Sequence, residues 1–356
     1  MKAQLPPSKF LAAFQRQMDR PVPAWHIGGE NARPGENFLS IMSGMPTHPE
    51  KRSQAEAQAL EPELARPFET LDPAELTTPL VLSSPHSGAI YPARFLAASR
   101  LPPHLLRRSE DAHVDALWAE AAALGVPMMK AHFPRAYLDL NREPYELDPR
   151  MFDSALPHFA NTRSVRVAGG LGTIARIVGE GQDIYAGKLS VDEAMRRIDG
   201  LYKPWHHQLR ALLRRAQRQF GMALLIDCHS MPSWMGAGTQ KQERIDADFV
   251  LGDRYGTACS AIYIDLIERI LRQCGYQVQR NKPYAGGFIT EHYGNPGAGF
   301  HAVQIEINRA LYMDEQTLER RPHFGNIARD LTDLTSRLMA LADDMSRDGG
   351  LPLAAE

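Results

Sequence analysis

Short apolar runs alternate with helix-patterned stretches from Pro79 onward, and this alternation limits the fold more than any other feature of the 356-residue chain. "PLVLSSP" reads as a strand, "RRSEDAHVDALWAEAAALG" as a helix stopped at Gly125, and "VPMMKAHF" and "RAYLDLN" as strands again. Over residues 190–219 apolar side chains recur at Ala194, Ile198, Leu201, Trp205, Leu209, Leu212 and Ala216. That spacing of three and four predicts two amphipathic helices, with Pro204 opening the second. Strands "MALLID" and "DFVLGD", helix "TACSAIYIDLIERILRQCG", strands "YQVQRN" and "HAVQIEIN", and a long helix from about Glu315 complete the series. Helices spaced between strands in this way cover both faces of a sheet. The expected class is α/β, with a mostly parallel or mixed central sheet.

Residues 1–76 are different in kind. "GGENARPGENF" and "TLDPAELTTP" are rich in Gly, Pro and polar residues, and "EKRSQAEAQALEPELARP" is charged and Ala-rich. This predicts a loosely ordered extension over 1–76, one domain over 77–345 and a tail over 346–356. Lys+Arg 40 against Asp+Glu 42 gives a net charge of -2, which excludes a global pull toward nucleic acid or an anionic membrane. No stretch approaches the ~20 apolar residues of a membrane helix. The opening "MKAQLPPSKFLAAFQRQ" lacks the continuous apolar core of a secretory signal. Cys228, Cys259 and Cys274 form no CxxC pair and leave an odd count, so a reducing, cytoplasmic location is expected.

In sheets of this class, ligands bind beyond the carboxyl ends of the strands. Two histidines stand at such ends, His86 in "SSPHSG" and His229 in "LLIDCHS". Either alone reads as a structural or surface residue. Together they fit zinc, because neutral imidazoles from separate loops are common ligands and a catalytic zinc takes three protein ligands. The third is sought among carboxylates. "SEDAHVD" offers Glu110, Asp111 and Asp115, with His113 nearby. Asp111 and Asp115, four apart, would share one helical face. Stabilisation of a helix N-terminus explains Glu110, and Asp111 too, without any metal.

Two further segments place charge beside apolar strands. In "PRAYLDLNREP", Arg135, Asp139, Asn141 and Arg142 punctuate Tyr137, Leu138 and Leu140. The planar fork of Arg142 suits a substrate carboxylate, and a buried salt bridge to Asp139 or Asp111 is the competing reading. In "AVQIEINRALYMDE", Glu306 lies between Ile305 and Ile307. A carboxylate there is paired, bound to metal or kept for proton transfer, and an ion pair with Arg309 is the structural alternative. The loops "NKPYAGGFITEHYGNPGAGFHA" and "GGLGTIARIVGEGQDIY", the latter carrying Arg176, have the character of binding-site loops. Neither fits the phosphate-loop pattern.

Taken in order, "SSPHSGAIYP", "SEDAHVD", "YLDLNREP", "DCHSMPS", "KPYAGGFITEHYGNP" and "QIEINRALYMDE" resemble the N-formylglutamate amidohydrolase family. The resemblance implies a fold similar to zinc carboxypeptidases and to the aspartoacylase and succinylglutamate desuccinylase group, with 77–345 as a zinc amidohydrolase domain. It implies His86 and His229 as zinc ligands. The carboxypeptidase pattern has an acid three residues after the first histidine, where this chain has Ala89, so the carboxylate ligand falls to the Asp111 region. Asn141 and Arg142 match carboxylate binders, with Arg163 or Arg176 joining them; Arg135 matches the arginine that polarises the scissile carbonyl, and Glu306 the general base. The implied cofactor is zinc, or another divalent ion such as cobalt. The implied partner is a small N-acyl amino acid, N-formylglutamate first, hydrolysed at its linear amide. The alternatives are another N-acyl amino acid or short peptide, and binding without turnover.

Overall fold

The computed structural model describes residues 61–179, 181–235 and 243–347. The chain divides into Met1–Met45, outside the described residues, and Pro46–Glu356, which contains all of them. Most of the expected extension therefore lies outside the described residues. Its last part does not: residues 68–71 form an edge strand of the central sheet.

Seven strands make that sheet: β1 Phe68–Leu71, β2 Leu80–Ser84, β3 Met128–Ala131, β4 Ala223–Met231, β5 Phe249–Gly252, β6 Val278–Arg280 and β7 Phe300–Asn308. Their order is β1-β3-β2-β4-β7-β5-β6. β3, β2, β4 and β7 run parallel to one another, whereas β1 is antiparallel to β3 and β5 is antiparallel to β7. The sheet is mixed, in agreement with the expected α/β class.

Side-chain alternation along β4 and β7 separates core from chemistry. Leu224, Ile226 and Cys228 of β4 join Val303, Ile305 and Ile307 of β7 in one apolar cluster. The intervening Asp227, His229, Gln304 and Glu306 face the other way, and the parallel register sets Glu306 beside His229. Helix α1 (Lys203–Phe220) packs on β4 and β2 and buries Trp205, Leu209, Leu212, Leu213 and Ala216 outside that cluster. Helices α2 (Ala261–Gln273) and α3 (Phe324–Arg347) cover the apolar cluster through Ile264, Ile267, Leu271, Ile327, Leu331, Leu334 and Leu338. Burying each such side chain contributes about 1.5–3 kcal/mol.

Several expected boundaries move. The two helices expected over 190–219 are one helical run, in which a π-helical stretch, Ile198–Tyr202, joins Val191–Arg197 to α1. The C-terminal helix begins at Phe324, not near Glu315. "RAYLDLN" is a turn and not a strand, because Tyr137 N and Leu138 N both donate to Pro134 O. The helix expected over 107–125 is broken: a 3-10 turn spans Arg107–Ser109, His113 takes φ 65, and helical turns follow only at Val114–Leu117 and Ala119–Ala123. Asp111 therefore precedes the helix and does not share a helical face with Asp115. Among the described residues, no helix is long and apolar enough to cross a membrane.

Candidate active site

Three separate segments deliver His86, Asp111 and His229 to one buried spot, where one ligating atom from each lies within 4.8 Å of the others. His86 follows β2 after Pro85. Its carbonyl accepts a hydrogen bond from Asp111 N at 3.0 Å, which ties the acidic loop to the strand end. Gly88 is needed there: a Cβ would stand 2.2 Å from Phe133 O, so only glycine lets the "HSG" turn approach the end of β3. His229, expected beyond a strand end, lies instead within β4, on the face that also carries Glu306 across the register.

A carboxylate lies beside the far nitrogen of each ring, hydrogen-bonded in the case of His86 and at ion-pair distance in the case of His229. His86 Nε2 is 2.8 Å from Asp139 Oδ1, and His229 Nε2 is 2.9 Å from Asp227 Oδ2. Both Nδ1 atoms then face Asp111 Oδ2, at 3.4 Å from His86 and 3.0 Å from His229. Asp111 Oδ1 is occupied elsewhere, by Arg309 Nη2 at 2.9 Å and Ser230 Oγ at 3.3 Å. This leaves Oδ2 turned toward the two rings. His86 Nδ1 is buried and makes no hydrogen bond among the described residues, a costly state for a polar atom unless something else binds it. Two imidazole nitrogens and one carboxylate oxygen, backed by further carboxylates, form a donor set suited to a divalent cation.

The electrostatics agree. Burial alone would raise the Asp111 carboxyl, but the hydrogen bond with His229, the nearby His86 ring and the Arg309 charge hold it well below its usual range. Burial would lower the His229 imidazolium, yet Asp227 and Asp111 outweigh it and push its pKa well above the usual value. The site thus favours a positive charge between these groups. For Glu306, burial dominates and lifts the carboxyl to about 7. Its Oε1 accepts from Gln304 Nε2 at 2.7 Å. Arg309, the alternative partner for Glu306, is instead spent on Asp111, Ser230 and the Arg108 carbonyl.

The 135–142 turn stands beside this centre, fixed from α1 and the stretch before it. Tyr202 Oη donates to Arg142 O at 2.6 Å, and His206 Nε2 lies 3.0 Å from Leu140 O. Arg135 Nη2 holds Asp139 Oδ2 at 2.7 Å, and its charge is felt by Glu306. Arg142 lies farther from Asp139, at 3.8 Å, and donates from Nε to Leu171 O and from Nη1 to Asn141 O. Asn141 is built into the framework: Oδ1 accepts from Ile289 N at 2.7 Å and Nδ2 is 3.2 Å from His229 Nε2. Gly287 leaves room for it, since a Cβ there would meet the Asn141 side chain at 2.4 Å.

Not every expected residue gathers here. Glu110 turns away, accepting from Tyr91 Oη at 2.7 Å and pairing with Arg107. Arg163 is exposed, and its side chain makes no hydrogen bond or ion pair among the described residues. Arg176 is paired with Asp148 at 3.0 Å and Asp183 at 2.7 Å, and lines a cavity that shares no residue with the His86–Asp111–His229 group. Conversely, the roles of Asp227, Gln304 and Tyr284 were not anticipated. Tyr284 stands among the site's charges, and burial together with Glu306 pushes its phenol up to about 12. For Asp227 a signal existed, since two residues apart on a strand means the same face as His229.

The family model for N-formylglutamate amidohydrolase matches residues 78–313. An N-formylglutamate deformylase of Pseudomonas putida is 30% identical over 248 residues, covering 67% of this chain and 82% of its own length. A deformylase of the same name from Pseudomonas aeruginosa is 31% identical over 245 residues, covering 67% and 83%. Among solved structures, N-formylglutamate amidohydrolase from Ralstonia eutropha JMP134 is similar at 38% identity with a TM-score of 0.71, covering 79% of this chain and 99% of that one. With ordered motifs, a matching fold and a buried His-Asp-His centre in hand, the chain belongs to the N-formylglutamate amidohydrolase family.

Proposed function

We propose that this amidohydrolase cleaves N-formyl-L-glutamate to formate and glutamate at a divalent metal centre, zinc first, held by His86 Nδ1, Asp111 Oδ2 and His229 Nδ1. The observation that carries the metal is the convergence of those three atoms around a buried His86 Nδ1 that has no other partner. When bound, such an ion supplies Lewis acidity toward water and the scissile carbonyl. The remaining work falls to the chain. Glu306, aligned with His229 across the β4–β7 register, takes a proton from the attacking water and returns it to the departing amine. Arg135, anchored on Asp139, supports the negative charge that develops on the carbonyl oxygen. Arg142 keeps Nη2 for the α-carboxylate while backbone carbonyls hold its other nitrogens.

The direct test removes metal with a chelator, confirms its loss by elemental analysis, and assays formate release from N-formylglutamate. Activity is expected to vanish and to return with one equivalent of zinc per chain. Full turnover by the metal-free protein would reject the metal centre, and faster turnover of N-acetyl or longer acyl amino acids would reject the substrate. A second expectation isolates the carboxylate ligand. Asp111→Asn should weaken zinc binding beyond the roughly 10–100-fold that loss of a supporting partner costs. Glu110→Gln and Asp115→Asn should leave it near the parent value, because Glu110 serves Tyr91 and Arg107. Chelator competition across the three variants decides this, and a larger loss at Glu110 reassigns the ligand.

A further inference from the structure

N-formylglutamate carries two carboxylates, and Arg142 accounts for one. A cation for the second must lie close to Arg142 and must not already be spent on a protein acid. Arg176 fails because Asp148 and Asp183 hold it, and Arg254 fails because Glu291 Oε2 lies 2.9 Å from its Nη2. Arg135 and Arg309 serve Asp139 and Asp111.

Arg166 differs from all of these. It sits on the helical turn Val165–Ala168, whose start is fixed by Ser164 Oγ accepting from Val167 N at 3.0 Å. Its carbonyl accepts from Leu171 N at 2.8 Å, and Leu171 O in turn accepts from Arg142 Nε at 2.9 Å. One residue thus bridges the two arginines. Their charges interact: burial is the main cause that lowers the Arg142 pKa, and the neighbouring Arg135 and Arg166 charges add to it. The Arg166 side chain is 34% exposed, and its nearest acid oxygen, Glu146 Oε2, is 3.9 Å away, too far for a hydrogen bond. That oxygen is itself buried without a hydrogen-bond partner, and burial raises the Glu146 carboxyl, so Glu146 is a weak competitor for the guanidinium. A ligand with two carboxylates would relieve the repulsion between the arginines, one carboxylate pairing with Arg142 Nη2 and the other with the Arg166 fork.

We infer that Arg166 is a specificity-determining residue, the one that binds the side-chain carboxylate of the substrate. The inference rests on the reading of Arg142 as the α-carboxylate site. The test compares N-formyl-L-glutamate with N-formyl-L-glutamine, which has the same size but a neutral side chain. Arg166→Gln should lower kcat/KM for formylglutamate on the order of 30-fold, chiefly through KM, the scale of one lost hydrogen bond to a charged group. The loss on formylglutamine should be at least several-fold smaller, because its neutral amide makes no charge-assisted pair, and Arg166→Lys should recover part of the formylglutamate loss, since charge remains while the fork does not. Equal losses on both substrates, or none on either, would overturn the inference, as would a parent enzyme that prefers the amide. Arg142→Gln serves as the separate control. It should impair both substrates alike, and if it spares them the α-carboxylate reading fails, while the Arg166 substrate ratio still decides Arg166.

Discussion

His86→Ala and His229→Ala are each expected to emerge from dialysis without metal and without turnover of N-formylglutamate. Two ligands cannot hold a catalytic ion that needs three, and its binding energy is shared among them. The loss in kcat/KM should exceed the roughly 100-fold that marks removal of a supporting residue. The fold should survive either change. Without the His86 ring, Asp139 keeps Arg135 Nη2 at 2.7 Å and Asn141 N at 2.8 Å. Without the His229 ring, Asp227 keeps Ser83 Oγ at 3.2 Å and Asp111 keeps Arg309. Elemental analysis gives the metal content, and thermal unfolding against the chelator-treated parent separates ligand loss from misfolding. Stoichiometric zinc in both variants would show that the ion sits elsewhere.

His86 is legible because it follows the apolar run of β2, whereas His229 lies inside β4 and reaches the site through period-two alternation. The same rule puts Glu306 opposite Ile305 and Ile307 and on the His229 face, once the β4–β7 register is known. Register and strand direction were not legible. Nothing in "DFVLGD" says that it runs antiparallel to β7, because alternation does not encode direction. The acidic loop was found for the wrong local reason. Asp111 was expected on a helix, but the left-handed His113 delays the helix, and the link from Asp111 N to His86 O presents the carboxylate instead. The carboxylates beside the two rings divide in the same way. Asp227 is two positions from His229, within reach of a local rule, whereas Asp139 is 53 positions from His86 and meets it only through tertiary folding. Arg176, expected at the substrate, is paired instead with the buried Asp148, 28 positions away. Arginine assignments from sequence are weak for this reason: which acid is nearest is a property of the fold.

Glu306→Gln is expected to keep zinc and fold while kcat falls by about 10²–10⁴, the usual worth of a positioned general base. The amide matches the carboxylate in shape and can still accept from Gln304 Nε2, but it cannot take a proton from water. Its cost to the fold should be small, because burial is the largest influence on Glu306 and already favours the uncharged carboxyl. KM should change little, since the proposed substrate contacts lie on Arg142 and Arg166. Loss of an interaction made only in the transition state lowers kcat and kcat/KM together, which distinguishes this outcome from a binding defect. Arg309 does not confuse the result, because its ion pair is with Asp111 and not with Glu306. Steady-state kinetics on the zinc-loaded variant, with metal content measured on the same sample, provide the check. Near-normal turnover with zinc bound would make Glu306 a structural acid held by Gln304, and the proton acceptor would have to be sought among the remaining charged groups beside His86 and His229.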